Sequence, residues 1–422
     1  MRMLCVTGLL YALSAAALAA DDPLVTAPTV DLVIQTAQRS NPSLAEARAR
    51  TRAAEARAQA EGRRPDLELK YEQWAVPLAR PYALDEANML MIGVRQVFPA
   101  AGSLSARQRA ATGDAHVMAA SLGIRELDIE QDIRKAFAAY VRADGDWQAH
   151  LDHSDLSSRI IDLARTQYAA GRLSQEEVLR ATAEHARLHA DVTLAHQERR
   201  SAAAMLNALM GRPADAPLGP PASPALPDLA IHLDVLRAGI EQHRPEIAAG
   251  ASAISRAEAS RDAAEAERKW PMFMVGLDYM NMPTMPEPHG YGAMVSMSLP
   301  WLNSGHEAEM RSAEAEIAAE RSALEATRLA AQYQLTDAFA RAETARSALD
   351  ALDREVLPRT QEAFEASRIA FAGGRASALG VVDSERALLQ VRIDRLRAVE
   401  RLQNAIADLE RAAGASVNEV KP

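Results

Sequence analysis

Seven of the chain's 15 methionines fall between positions 272 and 297: Met272, Met274, Met280, Met282, Met285, Met294 and Met297. His289 stands among them, closing the run Met-Asn-Met-Pro-Thr-Met-Pro-Glu-Pro-His that begins at Met280. Thioether sulfur is a soft ligand that selects Cu(I)-like ions. Met280, Met282, Met285 and His289 are therefore candidate ligands for copper or silver. The competing reading is that these methionines fill packing sites on strand and loop surfaces. No His/Asp/Glu group has the spacing of a metal-ligand set, so no firm metal site is expected. Gly-x-Ser-x-Gly, His-Glu-x-x-His and a phosphate-binding glycine loop are all missing, which argues against a secreted hydrolase. No cofactor is expected.

A second group of residues occurs twice. Tyr168-Ala-Ala-Gly171-Arg172 returns 203 positions later as Phe371-Ala-Gly-Gly374-Arg375. At the same offset Asn41-Pro42 matches Arg244-Pro245, Ala101-Gly102 matches Ser304-Gly305, and Met210-Gly211 matches Ala413-Gly414. Four landmarks at one offset indicate one structural unit written twice. Gly171 and Gly374 permit the left-handed backbone of a sharp turn between helices.

The start of the chain is of a different kind. Arg2 gives a positive charge, Leu4 to Leu13 is apolar, and Ala17-Leu18-Ala19 is a small-residue cleavage site. Residues 1–20 read as a secretory signal peptide. The one cysteine, Cys5, lies inside it. The mature chain is then without disulfide, thiolate ligand or cysteine nucleophile. Cys5 also stands too early to carry an N-terminal lipid. Formal charge is −10, and loss of Arg2 makes it −11, a poor balance for nucleic-acid binding. No later apolar run is long enough for a membrane-spanning helix.

The elements that must position these residues come in the same order twice. The first half, 21–212, carries an amphipathic segment (Val30 to Gln38), a proline-initiated helix from Pro42, and alternating strands at about 66–76 and 88–98. Long helices follow at about 103–168 and 174–210. The first would reach roughly 95 Å at ~1.5 Å per residue. Leu188, Val192, Ala195, Ala202, Leu206 and Leu209 are spaced as a coiled-coil seam. A proline-rich linker, 213–228, leads to the second half, 229–415. There the strands are at about 272–280 and 290–299 and the long helices at about 306–371 and 376–413, with a tail at 416–422. Pro358 should kink or end the first of these helices. The fold class is mainly α with a small β part.

Four strands of about ten residues cannot close a barrel, and open edges cannot face lipid. Their length suits a tilted membrane strand. Three chains would supply twelve strands and close one. Tyr71, Trp74, Tyr279 and Tyr291 would then mark an aromatic girdle. Trp270 and Trp301 lie where strands meet helices, as girdle or as core residues of that junction.

The order helix, two strands, long helix, glycine turn, helix, given twice, resembles the TolC-like outer membrane efflux proteins. Tyr168-x-x-Gly171-Arg172-x-Ser174-x-x-x-Val178-Leu179-x-Ala181 is similar to that family's periplasmic-tip turn. Phe371-x-x-Gly374-Arg375-x-Ser377 with Val382-Asp383, Asn41-Pro42, and Val356-Leu357-Pro358 match further family spellings. The resemblance covers nearly the whole mature chain. It implies a homotrimer whose 12-stranded barrel crosses the outer membrane and whose α-helical barrel extends through the periplasm. Partners would be a periplasmic adaptor, an inner-membrane pump of the RND type, and outer-membrane lipid. Gly171, Arg172, Leu173, Ser174, Gly374, Arg375 and Ser377 would dock the adaptor, or else serve as plain connectors. Asp383 would stand at the periplasmic gate, or else be a solvated helix charge; Glu176 and Glu177 are weaker candidates. A carboxylate of the family's gate falls on Gly380 here. The chain would be a passive exit duct, with heavy-metal ions, drugs or a secreted polypeptide as cargo. A pore-less periplasmic coiled-coil scaffold is the alternative of another class, and the two alternating strand pairs argue against it.

Overall fold

The computed structural model describes residues 23–76, 78–222 and 232–416. The expected signal peptide, with Cys5, lies outside them, as do 223–228 of the linker and 417–422 of the tail. After a short turn at Pro23–Thr26 the chain forms α1 (Val30–Ser40) and α2 (Pro42–Glu61). Strands β1 (Glu68–Trp74) and β2 (Met89–Phe98) come next, followed by α3 (Ser103–Ala169) and α4 (Gln175–Leu209). The order then recurs as α5 (Leu233–His243), α6 (Pro245–Lys269), β3 (Phe273–Asn281), β4 (His289–Met297), α7 (Gly305–Ala351), α8 (Leu357–Ala372) and α9 (Ala378–Ala413). Between Pro99 and Pro213 no proline interrupts α3 or α4, and Ala, Arg, Glu and Leu favour helix throughout.

Two compact units form, and each draws on both halves of the sequence. One unit comprises 47–123 and 245–329. It holds one antiparallel sheet in the order β1-β2-β3-β4, with β2 and β3 pairing the two halves directly. The register sets the two faces. Leu69 opposes Val94, Val94 opposes Leu277, and Leu277 opposes Ala293, so one face is apolar across all four strands. Leu69, Tyr71, Ile92, Val94, Val275, Leu277, Tyr279, Tyr291 and Val295 on this face are all exposed. The other face carries Lys70, Glu72, Met91, Arg95, Met274, Asp278, Met280 and Met294, with Gly93, Gly276, Gly290 and Gly292 between them. In the same unit α3 approaches α6 closely at Gly113, where a Cβ would meet the Arg256 Cβ at 2.8 Å. Arg107–Glu267 (2.5 Å) and Arg109–Asp262 (2.8 Å) bridge these helices.

The other unit comprises 23–46, 124–244 and 330–416 of the described chain. Here α3 and α9 run antiparallel along a polar ladder: Asp128–Arg411 (2.6 Å), Lys135–Asp408 (2.5 Å), Arg142–Glu400 (2.9 Å) and His153–Glu385 (2.9 Å). Residue numbers rise on α3 as they fall on α9. Exposed ion pairs add little singly, but this row fixes the register between the two helices. Tyr140 is fully buried and donates to the Gly219 carbonyl at 2.6 Å, which pins the described part of the linker to α3. Burial raises the Tyr140 hydroxyl above its ordinary pKa. Arg199 lies over the Tyr140 and Trp147 rings and pairs with Asp144.

Two left-handed glycines make matching joints. Gly211 (φ 72°) and Gly414 (φ 76°) end α4 and α9. A Cβ on either would meet a backbone carbonyl oxygen, Ser40 at 2.4 Å and His243 at 2.5 Å. Those carbonyls are themselves 203 positions apart. Ala101-Gly102 and Ser304-Gly305 do not match in this way: Gly102 is left-handed (φ 85°), whereas Gly305 is not and opens α7.

The segment expected as one helix at 306–371 contains a widened turn at Leu352–Val356, where the Leu357 amide donates five residues back to the Leu352 carbonyl. Pro358 explains it. Its ring would collide with the carbonyl four residues earlier, and it has no amide to donate. A π-type turn relieves both and lets the helix continue as α8.

Candidate functional site

Both tip turns are built alike. Gly171 (φ 70°) and Gly374 (φ 68°) are left-handed, and a Cβ on either would meet nothing within 4 Å. The Gly171 amide donates to Tyr168 and the Arg172 amide to Gln167. The Gly374 amide donates to Phe371 and the Arg375 amide to Ala370. These pairs form the Schellman closure that satisfies the last helical carbonyls. Ser174 then caps α4, accepting from the Glu177 amide at 3.3 Å while Glu177 accepts from the Ser174 amide at 3.2 Å. Ser377 caps α9, accepting from the Gly380 amide at 3.1 Å. Gly380 occupies the place of Glu177 one offset later, so the second tip keeps the cap and lacks the reciprocal bond.

Backbone chemistry thus accounts for Gly171, Gly374, Ser174 and Ser377. Packing accounts for Leu173, which lies against a buried cluster of Ile160, Ala164, Phe364, Phe371, Val381 and Val382. That cluster draws on α3, α8 and α9, and Gln167 donates to the Phe371 carbonyl at 3.2 Å, so the two tips share one core. Arg172 and Arg375 are exposed and have no part in either closure beyond their backbone.

Asp383 is exposed on the second turn of α9, with Arg386 at 3.9 Å. Arg386 also pairs with Glu184 of α4, and that hydrogen bond is the chief reason its guanidinium is held above the ordinary arginine pKa. The i,i+3 spacing of Asp383 and Arg386 on one helix already signals that pair, whereas the bond from Arg386 to Glu184 of α4 does not show in the sequence. Two residues on, Glu385 is buried against His153.

The sheet separates the residues first grouped as ligands. His289 lies on the apolar face, where its Nδ1 meets the Tyr279 hydroxyl at 2.6 Å. Met280 lies on the other face, and both Met280 and Met282 reach toward Gly290. Met285 is exposed in the connecting turn. Among the described residues no three His, Cys, Asp or Glu gather closely enough to hold a metal ion. Trp74 is three residues from Tyr71, so the pleat puts it on the opposite face from Tyr71, Tyr279 and Tyr291. Trp270 and Trp301 are exposed and are not core residues of the strand–helix junction. No helix among the described residues is long and apolar enough to cross a membrane.

Residues 237–415 match the family described as outer membrane efflux protein. That stretch runs from within α5 through α9 and so takes in most of the second half of the chain. The chain is also 27% identical over 328 residues to the cobalt-zinc-cadmium resistance protein CzcC of Cupriavidus metallidurans, covering 74% of each chain. Among solved structures, CusC superposes with a TM-score of 0.76 at 18% identity, covering 93% of this chain and 94% of CusC. VceC of Vibrio cholerae gives 0.74 at 20% identity, covering 92% of this chain and 96% of VceC. At these identities the solved structures speak to the fold alone: mostly helical, with a small antiparallel sheet. The outer membrane efflux family is one of channel proteins that sit in the outer membrane and extend into the periplasm.

Proposed function

We propose that three copies of this chain, each built from two repeats, form the outer-membrane exit duct of a tripartite efflux system. The observation that carries this reading is the sheet. Its apolar face is exposed on all four strands, and β1 and β4 each leave an edge unpaired. Such a sheet is stable in lipid only if its edges are closed, and identical chains joining β1 to β4 would close them. The polar, glycine-rich face would then line the lumen. Helices α3, α4 and α7–α9 would form the periplasmic conduit, with the two tips engaging a periplasmic adaptor and, through it, an inner-membrane pump of the RND type. Secretion would be through a cleaved signal peptide. Asp383 would belong to the periplasmic gate.

Heavy-metal ions are the proposed cargo, copper or silver first. The methionine-rich strands support this, as does the likeness to a protein named for cobalt, zinc and cadmium resistance. The test is a strain lacking the chain, challenged in parallel with copper, silver, cobalt, zinc, cadmium and a panel of drugs. Lost metal tolerance, restored by the wild-type chain, is the expected result. Unchanged tolerance to every metal and drug would contradict the duct, and a defect confined to drugs would contradict the cargo.

A further inference from the structure

The polar sheet face holds a carboxylate with one oxygen left unpartnered among the described residues. Asp278 is 8% exposed, and its Oδ1 has no hydrogen-bond partner. Buried polar atoms are nearly always paired, so an orphaned carboxylate oxygen calls for a donor or a cation. The side chain lies in a cradle of glycines. Gly93 faces it across β2 and Gly292 across β4, with Gly276 two residues away along β3. A Cβ on Gly93 would fall 1.9 Å from that same Oδ1. Side chains at these positions would cover the carboxylate.

Thioethers surround the cradle. Met280 follows Asp278 on the same face, with its sulfur 4.0 Å and its methyl 3.3 Å from where a Cβ on Gly292 would stand. The Asp278 Cβ is 4.0 Å from that same point. Met91 opposes Met280 across β2, and Met294 opposes Gly276 across β4, diagonal to Asp278. Of the cations on this face, Lys70 pairs with Glu72 at 2.8 Å, whereas Arg95 stands 3.8 Å from Glu72 and diagonal to Asp278, its buried Nε without a hydrogen-bond partner. Lys70 also donates to the Met91 sulfur at 3.1 Å, so Met280 and Met294 are the freer thioethers.

We infer that Asp278, Met280 and Met294 form a binding site for a soft monovalent cation, Cu(I) or Ag(I), on the polar face of the sheet. A carboxylate supplies charge and two thioethers supply softness, a pairing that disfavours hard or strongly hydrated ions. The site deepens the proposed metal-efflux reading and rests on it for its purpose: a weak station for cargo crossing the barrel. Its existence is tested apart from that purpose.

The purified full chain in detergent is titrated with Ag(I) by calorimetry and, separately, with Zn(II). Wild type is expected to bind Ag(I). Met280→Leu/Met294→Leu and Asp278→Asn are each expected to weaken binding by at least about tenfold, the low end of what loss of even an outer-shell partner costs a metal site. Leucine nearly conserves methionine volume, so the double variant should keep the sheet; outer-membrane insertion and circular dichroism check this. A wild type that binds no Ag(I), a double variant that binds like wild type, or tighter binding of Zn(II) would each overturn the site. None of these outcomes bears on the duct, whose test is the metal and drug tolerance of the deletion strain.

Discussion

Arg172 and Arg375 are the tip residues whose side chains neither the backbone nor the core explains. Gly171 and Gly374 close Schellman turns, Ser174 and Ser377 cap the next helices, and Leu173 packs. Recurrence of Gly-Arg-x-Ser is therefore half structural, and the docking hypothesis narrows to the arginines. Arg172→Glu should abolish efflux while leaving the amount of protein in the outer membrane unchanged. Ser174→Ala should instead cost about 1 kcal/mol of local helix stability and leave export intact. Export by Arg172→Glu at the wild-type rate would remove Arg172 from the interface. Asp146 offers a pH-dependent check of the α3–α9 contact. Its burial raises the carboxyl above the ordinary aspartate value against the pull of Arg142. A raised carboxyl takes up its proton in the folded chain first. As pH falls from above that raised value toward the ordinary one near ~3.9, wild type should gain stability that Asp146→Asn does not. Melting temperatures of the two proteins across that window would show it, and parallel curves would contradict it.

At the scale of elements, strands, long helices and tip turns each depend on neighbours a few residues away, which is the range that sequence periodicity reports. What escaped depends on register. Nothing near Asp278 in sequence reveals that Gly93 lies opposite it, since strand pairing across 185 positions is set by the whole sheet (Gly93 to Asp278). His289 was grouped with Met280 by proximity along the chain, and only the β3–β4 register shows them on opposite faces. The Trp74 misassignment was avoidable, because an odd spacing from Tyr71 already implies the opposite face. Pro358 announced a disturbance, though not that a widened turn would absorb it. Two element-scale outcomes follow. Gly380→Glu should complete the capping box at the second tip and stabilise α9 by about 1 kcal/mol, the cost of a helical glycine. Gly414→Ala should destabilise the chain by more than the ~1–2 kcal/mol of a left-handed alanine, because its Cβ would meet the His243 carbonyl. Thermal unfolding followed by circular dichroism measures both, and a neutral Gly414→Ala would contradict a close approach of the Gly414 and His243 backbones.

At the scale of the whole molecule, each half supplies two strands and a helical hairpin, and neither half can cover its own apolar surface. Sharing of each compact unit between halves, with β2 bonded to β3, makes the single chain one sheet with two free edges. A barrel in lipid requires those edges to be closed. Removal of the signal peptide would leave the chain without cysteine, since Cys5 is the only one, so introduced pairs can be read without background. The decisive measurement is oxidative crosslinking, in intact outer membranes, of chains carrying one cysteine on β1 and one on β4, scanned over neighbouring positions to allow for register. Dimer and trimer bands, with no larger species, are the expected result. Crosslinks that form only within one chain, or a ladder running past the trimer, would contradict a closed three-chain barrel.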